Sequence, residues 1–227
     1  MTDSTNERAR KLAIAGTPSG TVVTAAEQSA GRGRHGRRWS APPGAALLCS
    51  FVLRPLERRH SLLPLAVPVA VCEAAESLAP VRCGVKWPND VWLGERKLAG
   101  VLIEARPPEW AVIGIGLNLA IADAELPGDL RWPATSLGHD VDADSALVAV
   151  RAAVGRWIEA EPTEVVNAFA RRDALRGRQI GWEGGGDEQP SGSGTASGVD
   201  ERGNLLARCD DGRSVTLGAG EVTLRIE

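Results

Sequence analysis

The chain has 227 residues, 43% of them hydrophobic, which suits one sizeable domain or one domain with a small appendage. Its formal net charge of −3 and a pI near 5.7 argue against a general binder of nucleic acid or of anionic membranes. The polar N-terminus does not read as a signal peptide, and no run approaches the roughly 20 apolar residues that a membrane span needs.

The sequence predicts a first helix that begins at Ser4 and stops before Gly16. It then predicts, in chain order, strands at 21–28 and 45–54, a helix at 61–79, strands at 85–93, 98–105 and 110–119, and helices at 144–160 and 163–176. Ser4 and Glu7 have the spacing of a capping box at the start of the first helix. Pro64 and Pro68 predict a kink or a late start in the second helix. The strands on either side of residues 94–96 are expected to form a hairpin.

After Gly177 the composition changes to short strand candidates around a low-complexity stretch at 184–194. The candidates lie at 178–182, 195–199, 204–209, 213–217 and 221–226. Strands of this length with turn signals between them predict a small β-barrel or sandwich. We therefore place a domain boundary near Arg176, dividing the chain into 1–176 and 177–227, and expect the α+β class for the first part.

The interval from Gln28 to Leu56 contains no Asp or Glu. Five arginines fall inside it: Arg32, Arg34, Arg37, Arg38 and Arg54. A local cluster of basic residues in a mildly acidic chain favours a site for one anionic ligand. The commoner explanation of such a cluster is a basic loop exposed to solvent. Gly31, Gly33 and Gly36 match G-x-G-x-x-G, but "RRWSAPPG" cannot open the helix of a dinucleotide-binding unit, and no P-loop Gly-Lys-Ser/Thr follows.

A second motif, "KWPNDVWLGERKLAG", concentrates polar groups in a predicted hairpin. The chain has only three lysines against 23 arginines, and two of the three, Lys86 and Lys97, lie in or at the start of this motif. Asn89 and Asp90 add an amide and a carboxylate, so the converging groups predict a polar ligand site. The alternative is an ordinary hairpin with charged outer positions.

Four cysteines without CxxC spacing favour buried thiols in a reducing cytoplasm. The three histidines are scattered, so we expect no zinc site. The chain also shows no Ser–His or Cys–His constellation for covalent catalysis.

In its order and spacing of "STN", "EQSAGRGRHGRRW", "VKWPNDVWLGERKLAGVLIE" and "GIGLNL", the chain resembles the biotin protein ligase family over nearly its whole length. Such ligases join biotin to ATP, forming biotinyl-5′-adenylate and pyrophosphate, and then biotinylate a lysine of a biotin carboxyl carrier domain in an acyl-CoA carboxylase. The resemblance implies an α+β catalytic domain like that of class II synthetases, a mixed sheet with flanking helices, followed by a small all-β barrel. It also implies biotin, ATP and Mg²⁺ as substrates and cofactor.

The family's roles fall on matching positions of this sequence. The resemblance implies biotin contacts by Ser4, Thr5, Asn6, Gln28, Gly31, Arg32, Gly33, Arg34, Lys97 and Gly100. It implies ATP contacts by Arg34, Arg37, Lys86, Asn89, Asn118 and Trp132. It gives catalytic roles to Lys97 and Arg32, which would contact the biotin carboxylate and the α-phosphate. We assign to Asp90 the role of orienting the incoming carrier lysine, and we expect Mg²⁺ to bind near Asp90.

The chemistry agrees with these residue types. A carboxylate that attacks an α-phosphate brings two anions together, so Lys97 and Arg32 would offset the charge that develops. A closed loop over residues 31–39 would exclude the water that hydrolyses a mixed anhydride. We therefore expect this loop to act as a lid whose glycines allow it to fold over ligand.

Two other functions are alternatives to biotin ligation. A lipoate protein ligase shares the broad fold and the adenylate chemistry. The motifs "GRGRHGRRW" and "KWPND", however, are those of biotin ligases. A non-catalytic nucleic-acid binder would lose affinity steeply with salt, whereas a buried adenylate site would lose much less.

Only three residues precede "STN", so we expect no N-terminal helix-turn-helix and no role in transcription. The strand that family members usually carry ahead of this motif is also missing, which predicts either a differently built sheet edge or a true start upstream of Met1. The sequence leaves open whether the chain is a monomer or a homodimer, and it predicts no nucleic-acid or membrane partner.

Overall fold

The computed structural model describes residues 1–126, 132–138, 140–183, 191–219 and 223–226. The helices are α1 (Thr5–Ile14), α2 (Leu63–Leu78), α3 (Ala143–Ile158) and α4 (Pro162–Ala170). The first six strands are β1 (Val22–Ala25), β2 (Ala46–Leu53), β3 (Cys83–Lys86), β4 (Asp90–Leu93), β5 (Arg96–Arg106) and β6 (Trp110–Asn118). The remaining strands are β7 (Gln179–Glu183), β8 (Gly192–Val199), β9 (Leu205–Arg208), β10 (Ser214–Leu217) and β11 (Thr223–Ile226).

A six-stranded sheet in the order β1-β2-β6-β5-β4-β3 forms the centre of the molecule. Strands β2 and β6 are buried along their whole length because helices and loops cover both faces. The side chains of β2 point alternately to the two faces of the sheet. Cys49 and Phe51 lie in the core beneath α2 and α3, while Ser50 contacts α1 on the opposite face. The face that carries α1 is the one on which the candidate site lies.

The α+β class is confirmed. The expectation of a mixed sheet is wrong, because the five strand pairings of this sheet are all antiparallel. Parallel pairing occurs as isolated bridges, for example between Val85 and Asp173. The single strand predicted at 85–93 is wrong, because it is divided into β3 and β4 around Trp87 and Pro88. Proline has no N–H for the ladder, so the chain turns there. The hairpin predicted at 94–96 is present between β4 and β5.

Helix α2 has Pro64 in its first turn, which confirms the predicted late start, and Pro68 lies inside the helix. A 3₁₀ turn at Arg58–Leu62 precedes it. Contrary to the sequence-based expectation, the segment Arg58–Leu78 is long and apolar enough to cross a membrane by length and composition. Two thirds of its apolar window (67%) are buried inside the protein, where α2 packs on α3 and the sheet, as in a core helix.

The strands from β7 to β11 form a second antiparallel sheet, in the order β10-β9-β8-β7-β11. Within the described residues its pairings form an open row from β10 to β11, so the ring of a closed barrel is not seen there. This sheet starts at Gln179, although Ile180 and Trp182 join the same apolar core as α2 and α3. The boundary near Arg176 stays a prediction, and residues 184–190 of the low-complexity stretch lie outside the described residues.

Candidate active site

A cleft of about 540 Å³ opens on the α1 face of the six-stranded sheet. It is lined by most of the residues that the sequence singled out: Ser4, Thr5, Asn6, Gln28, Arg32, Gly33, Arg34, Arg37, Asn89, Asp90, Lys97, Gly100, Asn118 and Trp132. Of the predicted site residues, Gly31 and Lys86 are not part of the lining. Segments more than 100 residues apart in sequence thus meet in one concave site.

One part of the cleft is a polar cluster at the start of α1. Ser4, Thr5 and Asn6 are almost fully buried. The Thr5 backbone N–H donates to Gln28 Oε1 at 2.7 Å, and its hydroxyl donates to the same oxygen at 3.1 Å. Ser50, which the sequence analysis missed, donates from its hydroxyl to Asn6 Oδ1 at 2.7 Å. Buried polar groups held in this way are fixed in place before any ligand arrives.

The floor of the cleft is made of glycines. A Cβ atom at Gly116 would overlap the ring of Trp39, and one at Gly100 would lie 2.9 Å from that ring. A Cβ atom at Gly114 would overlap the amide of Asn6. Trp39, Gly114 and Gly116 were not predicted as site residues from the sequence. Alternate glycines in a strand that is otherwise buried and apolar were the available signal, since they mark a close approach to the sheet.

Lys97 and Asp90 form an ion pair inside the cleft, with Nζ 2.7 Å from Oδ1. They face each other because Leu98 is an extra residue in β5, a bulge that leaves Lys97 on the same face as Gly100, three positions later. The Lys97 ammonium also lies 5.5 Å from the centroid of the Trp39 ring, within the range of a cation–π contact. The bulge thus places a positive charge at the centre of the site.

The arginine-rich loop is a small hairpin. The Gly33 N–H donates to the Arg37 carbonyl at 2.7 Å, and the Trp39 N–H donates to the Gly31 carbonyl at 3.0 Å. A Cβ atom at Gly31 would overlap the Trp39 carbonyl, so this residue shapes the hairpin rather than lining the cleft. The tip is a 3₁₀ turn at Arg34–Gly36 and opens no α-helix, which confirms that the G-x-G-x-x-G match is not a dinucleotide fingerprint.

Arg34 reaches from this hairpin in two directions. One nitrogen donates to Asn89 Oδ1 at 3.3 Å, and another donates to the carbonyl of Ala219, which follows β10. Burial, with the neighbouring Arg37, lowers the pKa of Arg34, while Asp90 acts in the opposite sense. A guanidinium starts from so high a pKa that it stays charged at neutral pH. Arg34 therefore brings a cation to the part of the cleft that meets the second sheet.

Partial burial and the charges of Arg34 and Arg37 lower the pKa of His35, which has a positive φ of 54° at the tip of the hairpin. The imidazole is therefore neutral at pH 7, and the positive charge of the loop comes from its guanidiniums.

Arg32 points toward two carboxylates that were not predicted to belong to the site. Its Nη1 lies 3.3 Å from Glu104 Oε1 and 3.7 Å from Glu7 Oε2. Glu104 in turn accepts a hydrogen bond from Asn6. Neither acid could be found from local sequence, because the pairs join residues 25 to 98 positions apart.

Lys86 is buried beside the cleft under two aromatic rings. Its Nζ lies 5.8 Å from the centroid of Trp92 and 5.4 Å from that of Trp132. The two rings are 5.4 Å apart and tilted by 55°. Asn118 donates to the Thr135 carbonyl at 2.9 Å and so holds the segment that carries Trp132. The predicted role of Lys86 with ATP stays a prediction.

The arrangement suits a ligand that combines a polar head group, an apolar chain and anionic groups. Hydrogen-bonding groups around Asn6 fit a polar head group, the apolar floor fits a chain, and Lys97 with the arginines fits carboxylate and phosphate oxygens. Within the described residues, no group of three or more His, Cys, Asp or Glu could hold a metal ion.

Comparisons with known proteins agree with this geometry. A family model described as the biotin/lipoate A/B protein ligase family matches residues 1–118, and one described as the biotin protein ligase C-terminal domain matches residues 184–225. The biotin–[acetyl-CoA-carboxylase] ligase of Mycobacterium tuberculosis is 34% identical over 240 residues, covering 98% of this chain and 86% of that protein.

The bifunctional ligase/repressor of Bacillus spizizenii is 38% identical over 143 residues, which make up 60% of this chain and 44% of that protein. The match thus spans less than half of that relative's length. A solved structure of a biotin protein ligase from Aquifex aeolicus in complex with biotin and ATP has a TM-score of 0.86 and 30% identity, covering 100% of this chain and 96% of that one. The chain therefore belongs to the biotin/lipoate A/B protein ligase family and, within it, to the biotin protein ligases.

Proposed function

We propose that the chain activates biotin with ATP to biotinyl-5′-adenylate and transfers the biotinyl group to a lysine of a biotin carboxyl carrier domain of an acyl-CoA carboxylase. The observation that carries the proposal is that complementary groups line one cleft. The buried polar cluster at Asn6, the ammonium of Lys97 and the guanidiniums of the 31–39 hairpin all belong to its lining. A molecule bound by its head group would thus present its carboxylate to the cations.

In the first step a biotin carboxylate oxygen attacks the α-phosphorus of ATP, and the bond to the β-phosphate oxygen breaks to release pyrophosphate. Lys97 and Arg32 would bind the oxygens on which negative charge accumulates. The site needs only to align and neutralise the two anions, and it requires no nucleophile from the protein.

In the second step the amine of the carrier lysine attacks the acyl carbon, and AMP leaves. The amine must lose a proton before or during the attack, and Asp90 is our candidate for orienting it. Asp90 is held by Lys97 at 2.7 Å, so its position in the cleft is fixed.

Magnesium is part of the proposal. The side-chain oxygens of Asp90 and Asn89 line the same part of the cleft, and oxygen ligands of this kind suit Mg²⁺. When bound with ATP, the ion would offset the charge of the phosphates. A cytoplasmic location, the absence of nucleic-acid and membrane partners, and the oligomeric state stay predictions.

The test is incubation with labelled biotin, Mg²⁺-ATP and a purified biotin carrier domain. We expect label on the carrier only when ATP is present, and none on a carrier whose acceptor lysine is replaced by arginine. Label that reaches the carrier without ATP, or no label and no biotin-dependent pyrophosphate release, would contradict the proposal. Repeating the assay with lipoate separates the two ligase activities, since we expect lipoate to be a poor substrate.

A further inference from the structure

We propose that Glu104 is a positioning residue that couples the polar cluster around Asn6 to the arginine hairpin through Arg32. The inference rests on the proposed function, because it concerns how the same cleft orients a biotin head group and closes over an adenylate. Glu104 does not line the cleft itself and acts through the two residues that do.

The carboxylate of Glu104 lies between two different segments of the chain. Its Oε2 accepts from Asn6 Nδ2 at 3.0 Å, and its Oε1 lies 3.3 Å from Arg32 Nη1. The Glu104 side chain is only 24% exposed, so water screens these contacts less than it would on an open surface. One carboxylate thus joins the start of α1 to the loop that follows β1.

The contact fixes the orientation of the Asn6 amide. Nδ2 donates to the Leu102 carbonyl at 3.3 Å and to Glu104, while Oδ1 accepts from the Ser50 hydroxyl at 2.7 Å. Both donor hydrogens of the amide are therefore used on the protein. Asn6 can offer a ligand only the remaining lone pair of Oδ1, which favours a head group that donates a hydrogen bond.

The contact also restrains Arg32, whose side chain is 49% exposed and carries the same charge as its neighbours in the hairpin. The second acid near Arg32 is Glu7, at 3.7 Å, but Glu7 also pairs with Arg10 at 2.7 Å and with Lys11 at 3.7 Å. Glu104 is thus the carboxylate that ties Arg32 to the cleft rather than to the surface of α1.

The two functions of Glu104 can be separated with two substitutions. Glu104→Gln keeps an oxygen that accepts from Asn6 but removes the charge that attracts Arg32. We expect its KM for biotin to stay within about threefold of the parent value, while biotinyl-adenylate escapes into solution about tenfold faster. Glu104→Ala removes both contacts, so we expect the same escape together with a KM for biotin that is about tenfold higher.

The matched control is Glu109→Gln, which removes one carboxylate from the exposed turn between β5 and β6, where Glu109 pairs with Arg106. It should behave as the parent does in every assay. Circular dichroism confirms that each variant is folded, and if Glu104→Ala does not fold, the nearly isosteric Glu104→Gln carries the test alone.

The decisive measurement is a double-mutant cycle of Glu104→Gln with Arg32→Ala, with adenylate escape as the readout. If Glu104 holds adenylate only through Arg32, Glu104→Gln increases adenylate escape no further in a protein that already carries Arg32→Ala, whereas a merely structural role gives additive effects. Additive effects, or a Glu104→Gln variant that retains adenylate as the parent does, would overturn the inference. A parent protein that makes no adenylate overturns the proposed function as well, so the two failures are distinguishable.

Discussion

Lys97 and Asp90 form an ion pair across two adjacent strands, with Nζ 2.7 Å from Oδ1, and 24% and 11% of their side chains are exposed. The pair depends on the bulge at Leu98, which turns the Lys97 side chain to the cleft face of the sheet. The backbone of Lys97 is held as well, because its N–H donates to the Pro133 carbonyl at 2.7 Å. A cation fixed on both sides in this way is ready to receive a carboxylate and a phosphate without further rearrangement.

We expect Lys97→Ala to lower biotin-dependent pyrophosphate release by roughly 100-fold or more, because a charge aimed at the developing transition state is lost. Stability should fall by about 1–3 kcal/mol, since the loss of Lys97 leaves the buried Asp90 carboxylate without its ion-pair partner. Pyrophosphate release and urea unfolding are the measurements. Lys11→Ala, at an exposed position on α1, is the control and should retain full activity. Normal pyrophosphate release by Lys97→Ala would remove this residue from the mechanism.

Gly116→Ala is expected to displace Trp39 from the floor of the cleft, because the added methyl group overlaps the indole ring. Biotin affinity should fall by roughly tenfold, measured by isothermal titration calorimetry. The control is Gly155→Ala in α3, where a Cβ atom meets nothing within 4 Å. That change should leave biotin affinity unchanged and raise stability by about 0.5–1 kcal/mol through helix propensity. Equal biotin affinity in the Gly116→Ala variant and the parent would show that Trp39 does not shape the site.

Trp87→Phe is expected to loosen the attachment of the second sheet. Trp87 is fully buried, and its Nε1 donates to the Gly203 carbonyl at 3.0 Å in the turn between β8 and β9. Losing this donor leaves the Gly203 carbonyl unpaired and should lower the free energy of unfolding by roughly 1–3 kcal/mol. Hydrogen exchange should accelerate in β8 and β9 more than in β2 and β6.

The control for this change is Trp110→Phe, at a buried tryptophan in the separate cluster beneath α1. It should leave exchange in the second sheet as it is in the parent. If both variants accelerate exchange in the second sheet to the same extent, the hydrogen bond from Trp87 does not secure it.

His60 should make the protein less stable in mild acid. Its Nδ1 accepts the Glu57 N–H at 2.8 Å, so the buried imidazole must be neutral there. Burial and the charge of Arg59 lower the pKa of His60, although Glu57, Glu159 and the backbone of Ile158 act in the opposite sense. Because the folded pKa is lower than the unfolded value of about 6.5, the unfolded state binds the proton more readily.

The stability that His60 contributes is therefore fully present above pH 6.5 and is lost as the pH falls toward its lowered folded pKa. Urea unfolding of the parent at pH 7.5 and pH 5 measures this loss, and His60→Asn should show a smaller difference between the two pH values. The control is His35→Asn, at an exposed site. Its free energy of unfolding should fall between pH 7.5 and pH 5 by nearly as much as that of the parent. An unchanged difference in His60→Asn would mean that another group titrates.

The motifs that define the site could be predicted from the sequence because each is carried by consecutive residues. "STN", the arginine hairpin and "KWPND" contributed 11 of the 31 described residues that line the cleft. Most helices and strands lay close to their predicted positions, although the helix predicted at 163–176 ends at Ala170. Local rules identified the Ser4 cap, where the side chain accepts from Glu7 N–H at 3.5 Å, and the late start of α2.

The sequence by itself determined which residues could do the chemistry, through their types, their order and their spacing. The tertiary structure alone decided which of them meet. Leu98 as a bulge, Glu104 between Asn6 and Arg32, and the carbonyl of Ala219 as a partner of Arg34 all depend on strand register and on contacts between distant segments. Register is set by how whole faces of the sheet are buried, and a shift of one residue exchanges the two faces, so no local pattern contains this information.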